Sequence, residues 1–277
     1  MLFYYIGYPK IRNLLSKCRR KPVARFVTFH DIPPEGEETF RQALRFLKQR
    51  TNVVSLDDYF AGRLCSDKVN VVVTFDDGYK SWISKAAPAL RKLNMPATFF
   101  ISSGFLGLSK EKEHEFAELR LKNKHNISGG LTEENVRELA EEGFTIGGHT
   151  CNHISLADIH DRTELLREIT IDKQKLESII SEEIHYFSYP FGACRNANND
   201  LIGILEEAGY RGAVTTVAGF NTTSTNRHLL HRELTGAPMP LCVFKARALG
   251  AYDAVSSLKR LIRIGCVIVR PTLTSLI

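Results

Sequence analysis

"VVVTFDDGYKSW", residues 71–82, decides how the rest of the chain is read. Val71 to Phe75 are β-branched or aromatic, as in a strand buried on both faces. The run then ends in two adjacent carboxylates, Asp76 and Asp77, followed by Gly78. A buried strand has no use for paired charges at its tip unless something cationic sits there.

Working outward, strand-like and helix-like stretches alternate. "VARFVTF" (23–29) reads as a buried strand, and 37–50 as a helix with Phe40, Leu44 and Leu47 on one face. A helix follows 70–75 through Trp82, Ala86, Leu90 and Leu93, then "ATFFI" (97–101) is a strand and 109–126 a polar excursion between core elements. Thr132 is placed to N-cap "EENVRELAEE", with Gly143 as the stop. "FTIGGH" (144–149) is a strand, 161–182 carries Leu165, Ile169, Leu176 and Ile180 at helical spacing, and "IHYFSYP" (184–190) returns as a strand. A helix over 199–208, strands over 212–217 and 228–234, and a last helix presenting Val255, Leu258, Leu261 and Ile262 complete the series. Such alternation predicts parallel strands with outer helices, as an open doubly wound sheet or a barrel. No GxGxxG follows an early strand, which disfavours dinucleotide binding. The expected organisation is an N-terminal basic and aromatic segment (1–22), one domain (23–240) and a helical extension (241–277) packed on it.

With 43% hydrophobic and 25% charged residues in 277, a sizeable core is available and disorder is not expected. The net charge of +6 concentrates in "KCRRK" (17–21) and "KRLIRI" (259–264). Beside Phe3, Tyr4, Tyr5 and Tyr8 the first cluster suits either a solvated face or a peripheral contact with an anionic membrane. No nucleic-acid partner is expected, and oligomeric state is left open. Six scattered cysteines (18, 65, 151, 194, 242, 266) form no disulfide framework and favour a reducing, cytoplasmic compartment. The apolar opening is broken after eight residues, too short to span a bilayer.

In parallel α/β architectures functional groups gather where strands end. His30 and Asp31 end the first strand, Asp76 and Asp77 the second, His149 and His153 ("GGHTCNH") another, and "YPFG" (189–192) a fourth, while His231 lies in the last. Two histidines four residues apart converge on one ion if the turn between them is helical. With a carboxylate they give the donor set of Zn²⁺ and related divalent ions, leaving positions open for water and substrate. HxxxH alone and DDG alone are weak signals; both at strand ends on one side of a sheet are much stronger.

Together "TFDDG" (74–78), "HTCNH" (149–153) and the "YPFG" turn resemble three motifs of the polysaccharide deacetylases, the NodB-homology domains of carbohydrate esterase family 4, over about Phe26 to Leu234. The resemblance implies a distorted (β/α) barrel that hydrolyses the N-acetyl group of an amino sugar in a polysaccharide, oligosaccharide or lipid-linked glycan. An O-acetyl esterase, another C–N hydrolase or a weakened carbohydrate-binding homologue are the alternatives. It implies Asp77, His149 and His153 as ligands of a divalent metal, most often Zn²⁺ with Co²⁺, Ni²⁺ or Mn²⁺ as alternatives, and Asp76 as general base. Tyr189, Pro190, Phe191 and Gly192 would meet the substrate and its oxyanion, Phe191 through its backbone N–H; the rings of Tyr189 and Phe191 either stack on a sugar face or, as aromatics more often do, pack in the core. Thr150 would orient the ligand loop, and Gly78 and Gly192 would permit tight turns.

Two departures matter. Ser188 stands where family members often carry an Arg paired with the catalytic aspartate, so Arg232 or Arg195 is expected to supply that cation. The fourth motif is unrecognisable in "AVTTVAGFNTT" (213–223), and "LLH" offers His231 either as the general acid or as a buried structural histidine. His228 is out of phase with His231. His30 either borders the pocket or packs, Cys151 is expected to face away, and His114, His125 and His160 to lie in solvent.

Overall fold

The computed structural model describes residues 22–123, 127–192, 199–251 and 253. The aromatic N-terminal segment, both basic runs, the helix expected after residue 253, His125, Arg195, Cys18, Cys194 and Cys266 lie outside them. The described elements run β1 (Ala24–Phe29), α1 (Glu37–Arg50), β2 (Asn52–Val53), α2 (Leu56–Phe60), β3 (Asn70–Asp77), α3 (Ala87–Leu93), β4 (Thr98–Ile101) and α4 (Lys110–Leu119). They continue with α5 (Glu133–Glu141), β5 (Thr145–Gly148), α6 (Arg162–Ile180), β6 (Tyr186–Ser188), α7 (Asn199–Glu207), β7 (Gly212–Val214), β8 (Glu233–Leu234) and α8 (Leu241–Ala248).

The strands pair in parallel in the order β7-β6-β5-β4-β3-β1-β8, with β2 on the first residues of β3. Leu230 bridges Val214 of β7 just before β8 joins β1, so the last pass of chain curls the sheet round on itself. The outcome is the distorted, parallel (β/α) barrel with outer helices that the alternation and the resemblance imply.

Period-2 alternation explains where the chemistry collects. Phe26, Val72, Phe100, Tyr186, Val214 and Leu230 form one apolar cluster inside the curl. Further along the same strand faces the residues turn polar: Thr28, Thr74, Asp76, Ser188 and Arg232, all buried. The opposite parity (Val27, Phe29, Val71, Val73, Phe75, Phe99) packs under the helices. A barrel filled by side chains at one end thus becomes a polar cup at the carboxyl ends of its strands.

Several elements differ from expectation. The final strand is two residues long instead of 228–234, because Asn221 takes the main chain of His231 on both sides: its Nδ2 donates to the His231 carbonyl and its Oδ1 accepts from the His231 N–H, each at 2.8 Å. The polar excursion contains α4, pinned by Phe116 stacked on Phe105 at 5.0 Å. Thr132 does cap α5, in a capping box with Asn135.

Candidate active site

β3 delivers both aspartates to the cup and holds them differently. Asp76 has interior parity, is buried, and is gripped by Arg232 through two contacts, Nη1 to Oδ1 at 2.6 Å and Nη2 to Oδ2 at 2.5 Å. Ser188 Oγ donates to Asp76 Oδ2 at 3.1 Å and accepts from Arg232 Nη2 at 2.9 Å. Thr28, Thr74 and the Thr215 carbonyl take further guanidinium donors, so the buried cation is well satisfied. Arg232 therefore occupies the position expected of the missing cation, and the short side chain of Ser188 hydrogen-bonds to it. Burial alone would raise the Asp76 carboxyl, but the Arg232 charge, then His149, outweigh it and hold it below the usual range.

Asp77 turns out of the strand at φ 93°, followed by Gly78 at φ 110°. Left-handed backbone is tolerated better by Asp than by most side chains and freely by glycine. The turn brings Asp77 Oδ1 to 3.3 Å from His149 Nε2 and 3.2 Å from His153 Nε2. All three potential ligand atoms lie within 4.8 Å of one another, and all three residues are buried. Each imidazole has a carbonyl behind it: His149 Nδ1 lies 2.7 Å from the Ser188 oxygen and His153 Nδ1 3.0 Å from the Arg120 oxygen. A carbonyl only accepts, so each Nδ1 carries hydrogen and each Nε2 is turned toward Asp77. Burial would raise the Asp77 carboxyl, yet its hydrogen bonds to His149 and His153 carry it well below the normal range. Burial would lower His153, but the hydrogen bond to Asp77 and its charge raise it. One carboxylate and two imidazoles at this spacing can hold a metal ion and suit a three-ligand divalent site.

The turn between the histidines is not helical, as convergence was expected to require. Thr150 (φ 61°) and His153 (φ 48°) are left-handed, and Thr150 Oγ1 accepts from the Ile154 N–H at 3.3 Å. Thr150 thus braces the turn locally. Two acids on α6, Glu168 and Asp172, accept hydrogen bonds from this turn's backbone and were not anticipated. A partial signal existed for Asp172 alone, which falls on the same helix face as Leu165, Ile169 and Leu176.

The "YPFG" turn splits in two. Tyr189 is fully buried, its ring against Phe187 and its hydroxyl donating to the His228 carbonyl, so of the two expected uses of this ring the structure shows core packing. Pro190 is buried too. Phe191 (φ 56°) is 44% exposed, its ring centroid 4.7 Å from that of His153, with Lys122 Nζ 4.6 Å from the Phe191 centroid. Gly192 (φ 64°) has no room for a Cβ, which would collide with the Thr216 side chain. His30 shares the parity of Phe26 and Thr28, and its charge is felt by both Asp76 and Asp77. His231 follows and precedes residues of interior parity, so alternation turns it away from the face of Arg232; its ring lies against Gly219. His228 reaches the Tyr210 carbonyl instead of the site, and His114 and His160 are exposed. Cys151 is half-buried, and burial raises its thiol.

A parallel barrel whose strand ends bring one carboxylate and two imidazoles together beside an arginine-held aspartate defines a class of proteins with a site that could hold a metal ion. Residues 63–213, more than half of the chain, match the polysaccharide deacetylase family, and the chain belongs to that family. YxkH of Bacillus subtilis (strain 168), itself provisionally assigned as a polysaccharide deacetylase, is 29% identical over 182 residues, 66% of this chain and 55% of that protein. The chain thus spans about half the length of this curated relative. The fold is shared with the Streptococcus pyogenes deacetylase PplD, solved with acetate (TM-score 0.67, 19% identity, 83% of this chain and 99% of that one). IcaB from Ammonifex degensii is also similar (TM-score 0.65, 22% identity, 83% and 96%).

Proposed function

We propose that this protein is a metal-dependent hydrolase that removes the acetyl group from an N-acetylated amino sugar in a polysaccharide, oligosaccharide or lipid-linked glycan. The observation that carries the reading is the division of labour at the end of β3. Asp77 Oδ1 lies 3.2–3.3 Å from two imidazole Nε2 atoms, while its neighbour Asp76 is held apart by Arg232.

The donor set fits a divalent cation, Zn²⁺ first, with Co²⁺, Ni²⁺ or Mn²⁺ as alternatives; such an ion, when bound, supplies a Lewis acid and lowers the pKa of water. Asp76, ionised and oriented by Arg232, accepts the proton of the water that attacks the acetyl carbon. The backbone N–H of Phe191 donates to the oxygen that gains charge, and the exposed Phe191 ring offers an apolar face to the sugar. As the C–N bond breaks, the amine takes a proton and acetate leaves. His231 is the donor implied by the motif; His30, which follows β1 on the interior parity, is the second candidate.

The test is acetate release from N-acetylglucosamine oligomers and lipid-linked sugars against an ester panel, using the metal-loaded protein and its Asp76→Asn and metal-stripped forms. Release confined to the amide substrates, and lost in both altered forms, is expected. Equal release by Asp76→Asn would overturn the reading. His30→Ala and His231→Ala compared in the same assay assign the proton donor.

A further inference from the structure

We propose that Glu168 and Asp172, one turn apart on α6, are positioning residues that fix the 149–153 turn so that its two imidazoles converge, and thereby set the affinity of the site for a divalent cation. This rests on Asp77, His149 and His153 being the metal ligands.

Both acids point inward on a helix whose buried face also carries Ile169, Leu176 and Ile179. Glu168 is 8% exposed and Asp172 0%. A carboxylate on such a face is unfavourable unless donors meet it, and an apolar side chain would serve packing better. The donors that do meet these two belong to the ligand turn and to the strand end beside it. The His149 N–H donates to Asp172 Oδ2 at 2.8 Å and the Ser103 N–H to Oδ1 at 2.8 Å. Asn152 donates to Glu168 through its backbone at 2.9 Å and its side-chain amide at 2.6 Å.

The rest of the turn is fixed with equal care. The Cys151 N–H donates to the Glu168 carbonyl at 3.0 Å, the Cys151 oxygen accepts from Gly104 at 2.8 Å, and the His149 oxygen accepts from Ser102 Oγ at 3.0 Å. Gly148 lets the helix come this close: a Cβ there would stand 3.0 Å from Asp172 Oδ2 and collide with the Tyr210 hydroxyl. Two residues of the turn, Thr150 and His153, are left-handed, a conformation that persists only when its surroundings dictate it. Asp172 fixes the turn just before Thr150 and Glu168 just after, so one rigid helix sets the spacing of both ligands.

The test is ion affinity in the full-length protein, with Zn²⁺ or Co²⁺ titrated against a competing chelator, together with the Co²⁺ absorption spectrum as a report of ligand geometry. Asp172→Ala should weaken binding about 10–100-fold, the range seen when the groups supporting metal ligands are removed. Glu168→Ala should weaken it about tenfold, with altered Co²⁺ bands. Glu168→Gln should restore near wild-type affinity, because Gln keeps one acceptor and the Asn152 amide can rotate to match its –NH₂. A purely structural role would lower the melting temperature of the ion-free protein and leave affinity and spectrum alone; that result overturns the inference. If Asp172→Ala does not fold, the Glu168 pair decides: equal affinity for the Ala, Gln and wild-type forms overturns it. A wild-type protein that takes up no ion overturns the ligand assignment and this inference together, an outcome distinct from unchanged affinity in the variants.

Discussion

Among the described residues two arginines are wholly buried, and their surroundings contrast. Arg25, on the outer parity of β1, meets Asp253 at 2.8 Å, Glu233 at 2.7 Å and the Arg247 carbonyl at 3.0 Å beneath α8. Arg247 returns to Glu233 at 3.2 Å. Two guanidinium groups there face two carboxylates. Arg232, on the inner parity, faces Asp76 while Asp77 stands next to it with two imidazoles. The outer cluster is electrically closed; the inner one, once its imidazoles are neutral, has a carboxylate more than its cations. A buried carboxylate beside two Nε2 atoms could hold a cation, whereas balanced charge beneath a helix is a fastening.

The largest expected effects come from removing each arginine in turn. Arg25→Met and Arg232→Met should each cost about 3–5 kcal/mol of stability, because each strands a buried carboxylate. Where folded protein is recovered, only Arg232→Met should also lose turnover, by about 10²–10⁴-fold, the contribution of a general base. Denaturant melts paired with acetate release measure both quantities. Comparable loss of turnover in folded Arg25→Met would erase the distinction between fastening and site.

Next is the excess carboxylate. Asp77→Asn keeps the shape and tolerates the left-handed backbone but removes the charge. Saturating ion at about 100 times its dissociation constant should raise wild-type stability by about 2.7 kcal/mol and the variant's hardly at all. Thermal melts with and without Zn²⁺ read this directly, and an equal rise in both proteins would sink the ligand assignment.

Acidity tests the same contrast at smaller amplitude. In the ion-free protein His153 titrates above its usual 6.5, because Asp77 outweighs burial. Asp77, Asp76, His149, the Arg120 carbonyl and the Phe191 ring with Lys122 are the groups around it. The raised value means that the His153–Asp77 pair stabilises the ion-free fold fully below that usual value and ceases to do so as pH rises through the folded one. An ion needs that proton gone, so ion affinity should climb by up to about tenfold per pH unit across the same window. Chelator competition at about pH 6 and about pH 8 checks the slope, and a flat response would mean that His153 is not displaced from its proton.

How legible this was follows from local rules. Asp77, His149 and His153 could be read because strand ends are announced by apolar runs stopping at Gly, Asp and His, and parallel alternation puts those ends on one side. Arg232 could be read because Ser188 was too small for the job its position implied. What stayed hidden depends on contacts between distant segments. Glu168 and Asp172 look like a solvated helix face until the apolar positions 165, 169 and 176 are lined up beside Asp172. The break in the last strand needs Asn221, ten residues earlier. A helical HxxxH was the natural assumption, and the left-handed backbone of Thr150 is unforeseeable from a β-branched type that rarely adopts it.

The smallest effect sharpens the contrast most finely. The outer cluster joins its charges directly, whereas in the inner one a hydroxyl, Ser188 Oγ, touches both Asp76 and Arg232. Ser188→Ala removes that hydroxyl and leaves the two direct guanidinium contacts and the Ser188 carbonyl behind His149 in place. A hydrogen bond to a charged group is worth about 1.5–3 kcal/mol, and with the direct guanidinium contacts left in place the variant should lose about the lower figure in stability and turn over only a few-fold more slowly, with ion affinity unchanged. If turnover instead falls as far as in Arg232→Met, the hydroxyl and not the guanidinium orients the base, and the short side chain at 188 is itself the device that makes Asp76 a proton acceptor.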